Sequence, residues 1–530
     1  MRQTKTLRRL AALLCTLALA LALAPAAGAE GAAPVAGANA GKHIYETHYA
    51  TQEESFLFPN SQGGFTRVER VYENFARPIV VEEYNASFQL VTSRTFALEL
   101  LLWGGFYSGS QYNFLMFSQS NDAEDDSREV LRVVKYSKDW ERLGSVSICG
   151  ENTFRLMRSG SLRCAEQDGI LYIYSCHTMY KAQDGKNHQA SVMFSVRESD
   201  MTYEVQKYFY VSHSFDQYIL IDQQKRIVTA DLGDAYPSRA INLQRLPANC
   251  DPLQRANLYE QTSFHSIPGQ KGDNATGVCL GGFAETTDGY VSAFTVRASA
   301  SPSSAGTENV FLGYTDKAGL VTREIQLNTV KGATPPKVVS TGLNGGYVMW
   351  NGGGSYESNG TLYYRSYSNG GALGPIRTAS AVLSDCQPVA QNGKVVWYAA
   401  DHSVPTFYTL DASGVTAVKA SAAPGAVLVP GPDNAMPTAT TSIATPKSPD
   451  ILTPGSYTPT PDFRPEKGMY CWCCSFVTWM PGSTAPYENM GAWCPKTGFS
   501  VCKGCLKAQI KIGSNWEKFL LPATRYSQRS

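Results

Sequence analysis

Gln167-Asp168-Gly169-Ile170-Leu171-Tyr172-Ile173-Tyr174 is the stretch whose reading decides the fold. An Asp-Gly pair tolerates the positive φ of a tight hairpin, and the apolar run behind it has the length of a strand. The pattern recurs. Thr287-Asp288-Gly289 precedes Tyr290, Leu343-Asn344-Gly345 precedes Gly346-Tyr347, and Gln391-Asn392-Gly393 precedes Lys394-Val395-Val396-Trp397-Tyr398. A second kind of turn, a Tyr followed by polar residues, falls further along each unit. It is seen at Tyr136-Ser137-Lys138-Asp139, Tyr314-Thr315-Asp316-Lys317, Tyr367-Ser368-Asn369-Gly370 and Tyr408-Thr409-Leu410-Asp411. Two turns of different character in each unit of about 40–55 residues predict a four-stranded antiparallel blade.

Past Gly41, helical periodicity is nearly absent. The 29 Tyr, 46 Gly and only 17% charged residues favour strands and tight turns. Units fall near 44–98, 99–150, 151–207, 208–262, 263–332, 333–380 and 381–420. The chain over 44–420 therefore resembles the seven-bladed β-propeller superfamily. That resemblance implies an all-β ring of about seven blades around a central channel. It extends to fold alone. There are no Trp-Asp blade ends, no kelch glycine pairs at every blade and no sialidase boxes. An array of immunoglobulin-like sandwiches of about 90 residues each is the main alternative.

The flanks read differently. Arg2, Lys5, Arg8 and Arg9, an apolar run from Leu10 to Ala24, Pro25 and then Ala27-Gly28-Ala29 predict a secretory signal peptide over 1–29. Residues 30–43 are then a short linker. The whole chain has 46 basic and 45 acidic residues; losing four basic ones leaves 42 against 45, a net −3. That balance gives no general attraction to nucleic acid. No later run is apolar for long enough to be a transmembrane span. Residues 421–468 include ten Pro and read as an extended Pro/Ala/Thr-rich linker.

The last segment, 469–530, is a small Cys-rich module. Cys471 and Cys474 are spaced C-x₂-C, as are Cys502 and Cys505, with Cys473 inside the first pair and Cys494 between the pairs. The spacing fits a zinc-ribbon-like site with four thiolates. Export fits three disulfides instead. Both readings stand.

In a propeller, the loops entering each inner strand and those joining the second strand to the third share one face, where ligands are usually held. Several reactive side chains are expected there on the third and fourth blades. These are His177, His188 and Gln189 around one loop, His213 and Asp216 at the entry to the next inner strand, and Asp231, Asp234, Tyr236 and Arg239 in the loop after it. His, Asp and Arg together can bind anionic sugars, hold a metal or move protons. The aromatics Tyr236, Trp350 and Tyr356 are expected in surface loops suited to stacking on sugar rings. No Walker loop, nucleophile elbow or His-Glu-x-x-His is present.

Three functions follow as expectations. The first is a secreted, extracellular binding protein for a glycan or other surface polymer, whose C-terminal module holds a protein partner. The second is a polysaccharide lyase or glycoside hydrolase. His177, His188, Gln189 and His213 resemble the His-and-Gln set with which some propeller lyases hold a metal, although no linear motif matches. Asp231 and Asp234 would be the carboxylate pair that hydrolysis needs. The third is a structural protein of the cell envelope.

Overall fold

The computed structural model describes residues 31–41, 52–71, 77–157, 160–206, 209–246, 260–297, 307–353 and 360–431, with five short strands between Met469 and Pro522. The signal peptide expected over 1–29 lies outside the described residues.

The turns that prompted the reading are present. Asp168 and Gly169 have φ of 51° and 74°, and Asn392 and Gly393 have 52° and 73°. Both pairs join antiparallel strands through the mirror-image turn that matches strand twist. Seven blades result, each with four strands drawn from one continuous piece of chain. Blade 1 contains Ser55–Pro59, Phe65–Arg70, Ile79–Tyr84 and Gln89–Phe96. Blade 2 contains Leu102–Ser108, Asn113–Ser118, Glu129–Tyr136 and Arg142–Cys149. Blade 3 contains Leu162–Gln167, Ile170–Lys181, Asn187–Arg197 and Tyr203–Gln206, with a short extra strand, Thr153–Leu156, on the far end of its second strand. Blade 4 is Ser214–Ile221, Ile227–Gly233, Ala240–Leu246 and Glu260–Ser266. Blade 5 is Val278–Glu285, Gly289–Arg297, Thr307–Asp316 and Thr322–Lys331. Blade 6 is Lys337–Gly342, Gly345–Gly352, Thr361–Ser368 and Arg377–Ala379. Blade 7 is Val389–Gln391, Lys394–Ala399, Thr406–Asp411 and Gly414–Lys419.

The first strand of every blade lies beside the first strand of the next, and that of blade 7 lies beside Ser55–Pro59. The ring is therefore closed, with seven inner strands around the axis. The molecule is a seven-bladed β-propeller. Its core lies between the blades. Phe114, Val133, Leu171 and Phe194 join blades 2 and 3, while Leu312, Tyr314, Val348 and Trp350 join blades 5 and 6. Fully burying such side chains contributes roughly 1.5–3 kcal/mol each.

Two boundaries differ from expectation. Ser421–Leu428, read as the start of a linker, is a strand running parallel to the outer strand of blade 1. Its register shifts between Ala422 and Val427, around Pro424 and Gly425. A Pro with no N–H is tolerated there because the strand is at an edge and bulged. Residues 31–41, also read as linker, form bridges to Val427, Ser403 and Ser384 at the joint between blades 7 and 1.

In the C-terminal unit, Met469–Tyr470 pairs with Val477–Trp479. Met490–Trp493 pairs with Ser500–Cys502 and with Leu521–Pro522. Cys471, Cys473, Cys474, Cys494 and Cys505 lie outside the described residues, and Cys502 ends a strand. No helix among the described residues is long and apolar enough to cross a membrane.

Candidate functional site

Four segments of blades 3 and 4 meet on the face where inner strands begin. They are the hairpin Ile170–Arg197, the entry segment Phe209–His213, the loop 234–239 and the loop 267–277. The hairpin is longer than its sequence implies, because its first strand continues past His177 to Lys181 and turns only at Ala182–Lys186. His177 thus sits inside a strand, paired with Ala190 and Leu156, and not in a loop. It is buried, and its Nδ1 shares a hydrogen bond of 2.7 Å with Thr153 Oγ1. Burial pushes its pKa down to about 4.

His188 and His213 do converge, with ring centroids 6.4 Å apart. His188 Nε2–H donates to Asp184 Oδ2 at 2.9 Å. His213 Nδ1–H donates to Asn274 Oδ1 at 3.0 Å, which leaves Nε2 as the acceptor of the neutral ring. The backbone at His213 has a φ of 52°, uncommon for a residue with a side chain. Its N–H is held by Gln189 O at 2.8 Å and its carbonyl by Asp234 N at 3.1 Å. Gln189 Nε2 reaches the Ser214 carbonyl.

Asp234 and Arg239 form a buried pair below the two histidines. Together they clamp the loop 267–277. Arg239 Nε donates to Pro268 O at 3.0 Å and Nη2 to Ala275 O at 2.8 Å. Asp234 Oδ2 accepts from Asn274 N at 2.6 Å and Asp234 O from Gly272 N at 3.0 Å. This pair shapes the site from beneath; neither side chain faces solvent.

Tyr236 projects outward and is 63% exposed. Beside it stands Tyr210, 37% exposed, with ring centroids 6.2 Å apart. Tyr210 is a partner that the sequence did not single out, since Tyr208-Phe209-Tyr210-Val211 reads as any apolar run. The other aromatics expected on the surface differ. Trp350 is fully buried and stacked on Tyr363 at 5.8 Å, because it points between blades 5 and 6. Tyr356 lies outside the described residues.

Asp231 and Asp216 lie away from this rim. Asp231 falls within a strand and is fully buried, accepting from Tyr174 OH at 2.8 Å and Ser214 Oγ at 2.7 Å. Burial pushes its pKa up to about 8. Asp216 faces the channel, where a bulge between Ser214 and Gln217 re-aims the inner strand. Asp216 accepts from Ser161 Oγ at 2.9 Å, and burial raises it to about 6.

Around the channel sits a set of charged side chains that loop-based reasoning misses. Arg163 of blade 3 pairs with Glu53 and lies 4.6 Å over the Tyr218 ring of blade 4. Gln387 of the blade 7 entry donates to Glu53 at 3.1 Å and to Tyr218 OH at 3.4 Å. Lys337 of blade 6 donates to Asp385 O at 3.3 Å, and burial lowers it to about 8. The available signal was a charged residue near the start of most inner strands, an odd choice for a buried position.

Among the described residues, no group of three or more His, Cys, Asp or Glu is placed to hold a metal ion. Cys149, Cys164, Cys176, Cys279 and Cys386 form no disulfide.

No known family profile matches the chain, and no curated protein matches it. Solved structures do. A polysaccharide lyase is similar at 9% identity, covering 73% of this chain and 97% of its own, with a TM-score of 0.42. The β-propeller domain of a trilobed protease from Pyrococcus furiosus is similar at 7% identity, over 60% of this chain and 83% of its own, with a TM-score of 0.35. An arabinanase of Bacillus subtilis is similar at 12% identity, over 52% of this chain and 92% of its own, with a TM-score of 0.26.

Proposed function

We propose that the protein is a secreted binding propeller that recognises a glycan on the rim of blades 3 and 4. The observation that carries this reading is the pair Tyr210 and Tyr236, exposed side by side next to His188 and His213. Large flat rings held at the surface offer apolar faces to the C–H faces of a sugar, and their hydroxyls remain available to water or ligand. His213 Nε2, Asp184 and the backbone of the loop 267–277 supply hydrogen-bonding groups within the same rim. The C-terminal module, as a zinc ribbon or a disulfide-bonded unit, serves attachment to a protein partner.

The test is a glycan array with the purified chain, followed by calorimetric titration of the best ligand. Tyr236→Ala is expected to weaken binding about tenfold, the effect of losing about 1.4 kcal/mol of stacking. Its thermal midpoint should stay near that of the parent, since the side chain is exposed. An array with no ligand above background, or full affinity in the Tyr210→Ala/Tyr236→Ala double variant, overturns the proposal.

A further inference from the structure

Residues Gly31-Ala32-Ala33-Pro34-Val35-Ala36-Gly37-Ala38-Asn39-Ala40-Gly41 run from the outer edge of the ring toward its axis, between blades 7 and 1. On the blade 7 side the contacts are backbone hydrogen bonds. Gly37 N donates to Ser403 O at 2.9 Å and Ala40 N to Ala400 O at 2.9 Å, while Ala32 N donates at 3.0 Å to Ala426 O of the strand Ser421–Leu428 on the edge of blade 1. Asn39 is fully buried; its Nδ2 donates to Ser55 Oγ at 3.0 Å and its Oδ1 accepts from Ala400 N at 2.8 Å.

On the blade 1 side the segment meets charge. Arg67 is fully buried between two carboxylates, Glu69 at 2.7 Å and Glu82 at 2.5 Å. One cation faces two anions, so the interior is left with excess negative charge. The strap answers it with backbone donors. Val35 N–H donates to Glu82 Oε1 at 2.6 Å and Ala38 N–H to Glu69 Oε1 at 2.8 Å, while Val35 O accepts from Arg67 Nη1 at 3.0 Å. Tyr84 and Tyr398 hydroxyls donate the remaining bonds to Glu82 and Glu69. Hydrogen bonds to buried ions are the strong ones. Space is restricted as well. A Cβ on Gly37 would stand 2.6 Å from both Arg67 Nη2 and Glu69 Oε2.

A tail that merely packs would bury apolar side chains, yet only Ala32 of this segment joins the apolar cluster at the joint. The recognition is instead polar, directional and selective for small residues. We infer that the joint between blades 7 and 1 is a peptide-binding groove for an extended, small-residue segment, filled in cis by residues 31–41 and able to accept the same segment in trans. The groove reads backbone N–H groups through Glu69 and Glu82, an Asn through Ser55 and Ala400, and the absence of a side chain at position 37.

The test uses the full chain with a specific protease site placed within residues 42–51, cut after folding. The freed N-terminal segment is expected to stay with the ring through gel filtration. A labelled peptide of residues 31–41 should exchange into the cut ring and not into the uncut one, where the tethered segment competes at high effective concentration. Peptides carrying Gly37→Val or Asn39→Ala should compete at least tenfold less well. Three results overturn the inference: loss of the segment from a still-folded ring with no exchange, unfolding of the ring on cutting, or equal competition by the Gly37→Val peptide.

Discussion

Arg163→Met is expected to destabilise the ring by about 3–5 kcal/mol, the usual cost of removing one partner of a buried ion pair. Arg163 pairs with Glu53, lies over the Tyr218 ring and interacts electrostatically with Asp216 on the adjacent inner strand. Methionine fills much of the same space but leaves two carboxylates poorly solvated and unneutralised. The strands concerned belong to blades 1, 3 and 4, so the loss is felt around the ring and not within one blade. Calorimetry should show a midpoint lower by roughly 5 °C. Adding Glu53→Gln in the same chain should return part of the loss, because the second change removes the charge that the first one stranded. If the double variant is no more stable than Arg163→Met alone, Glu53 is not the partner that matters.

The second large effect is a pH dependence. Asp231 has a folded pKa of about 8 against an ordinary value of 3.8, and the cause is burial. Between those values the folded chain holds a proton that the unfolded chain has released. Stability is therefore fullest below the unfolded value and falls as pH rises, until the folded value is passed. The slope from one such group is about 1.4 kcal/mol per pH unit. Asp216, raised to about 6, contributes the same sign only at lower pH. His177, lowered to about 4, contributes the opposite sign below its ordinary value of 6.5. Lys337, lowered to about 8, adds stability above that pH. The window from 6.5 to 8 thus isolates Asp231 from these three groups. Asp231→Asn keeps the shape, removes the proton and should flatten the denaturant-measured stability across that window. Relative to the parent it should be close to neutral near pH 3.8, ahead by roughly 1.6 kcal/mol at pH 5 and by more at pH 8. An unchanged slope would assign the dependence elsewhere.

The blade count was readable because each blade repeats local chemistry. Asp168-Gly169 and Asn392-Gly393 specify a turn wherever they stand, and the apolar run behind each has no alternative use. The rim was readable in part. His188, His213, Asp234 and Arg239 meet because they flank the loops of adjacent blades. His177 and Asp231 were misplaced by one physical detail, the length of a strand beyond its first polar interruption. Polar residues can continue a ladder when their backbone groups are paired, and alternation alone does not show where pairing stops. Trp350 illustrates the converse: an aromatic beside a Gly-rich stretch looks exposed, yet it fills the space between two blades. The Arg163 cluster was hidden because its members are far apart in sequence. Nothing in the neighbourhood of Arg163 names Glu53.

The continuity of each blade also bears on how the chain folds. Strands within a blade are joined by short connections, so every sheet can form from near neighbours at little cost in loop closure. The joint between blades 7 and 1 is different. Asn39 accepts from Ala400 across 361 residues. Closing a loop of that length costs about 2 kcal/mol more than closing one the size of a blade. Blades should therefore assemble first as an open arc, and the long-range contacts of residues 31–41 and 421–428 should be the last to form. On that order of events the rate of reaching the native state is set at a single seam, and a chaperone or a crowded surface that delays closure would hold seven largely formed sheets apart from a finished ring.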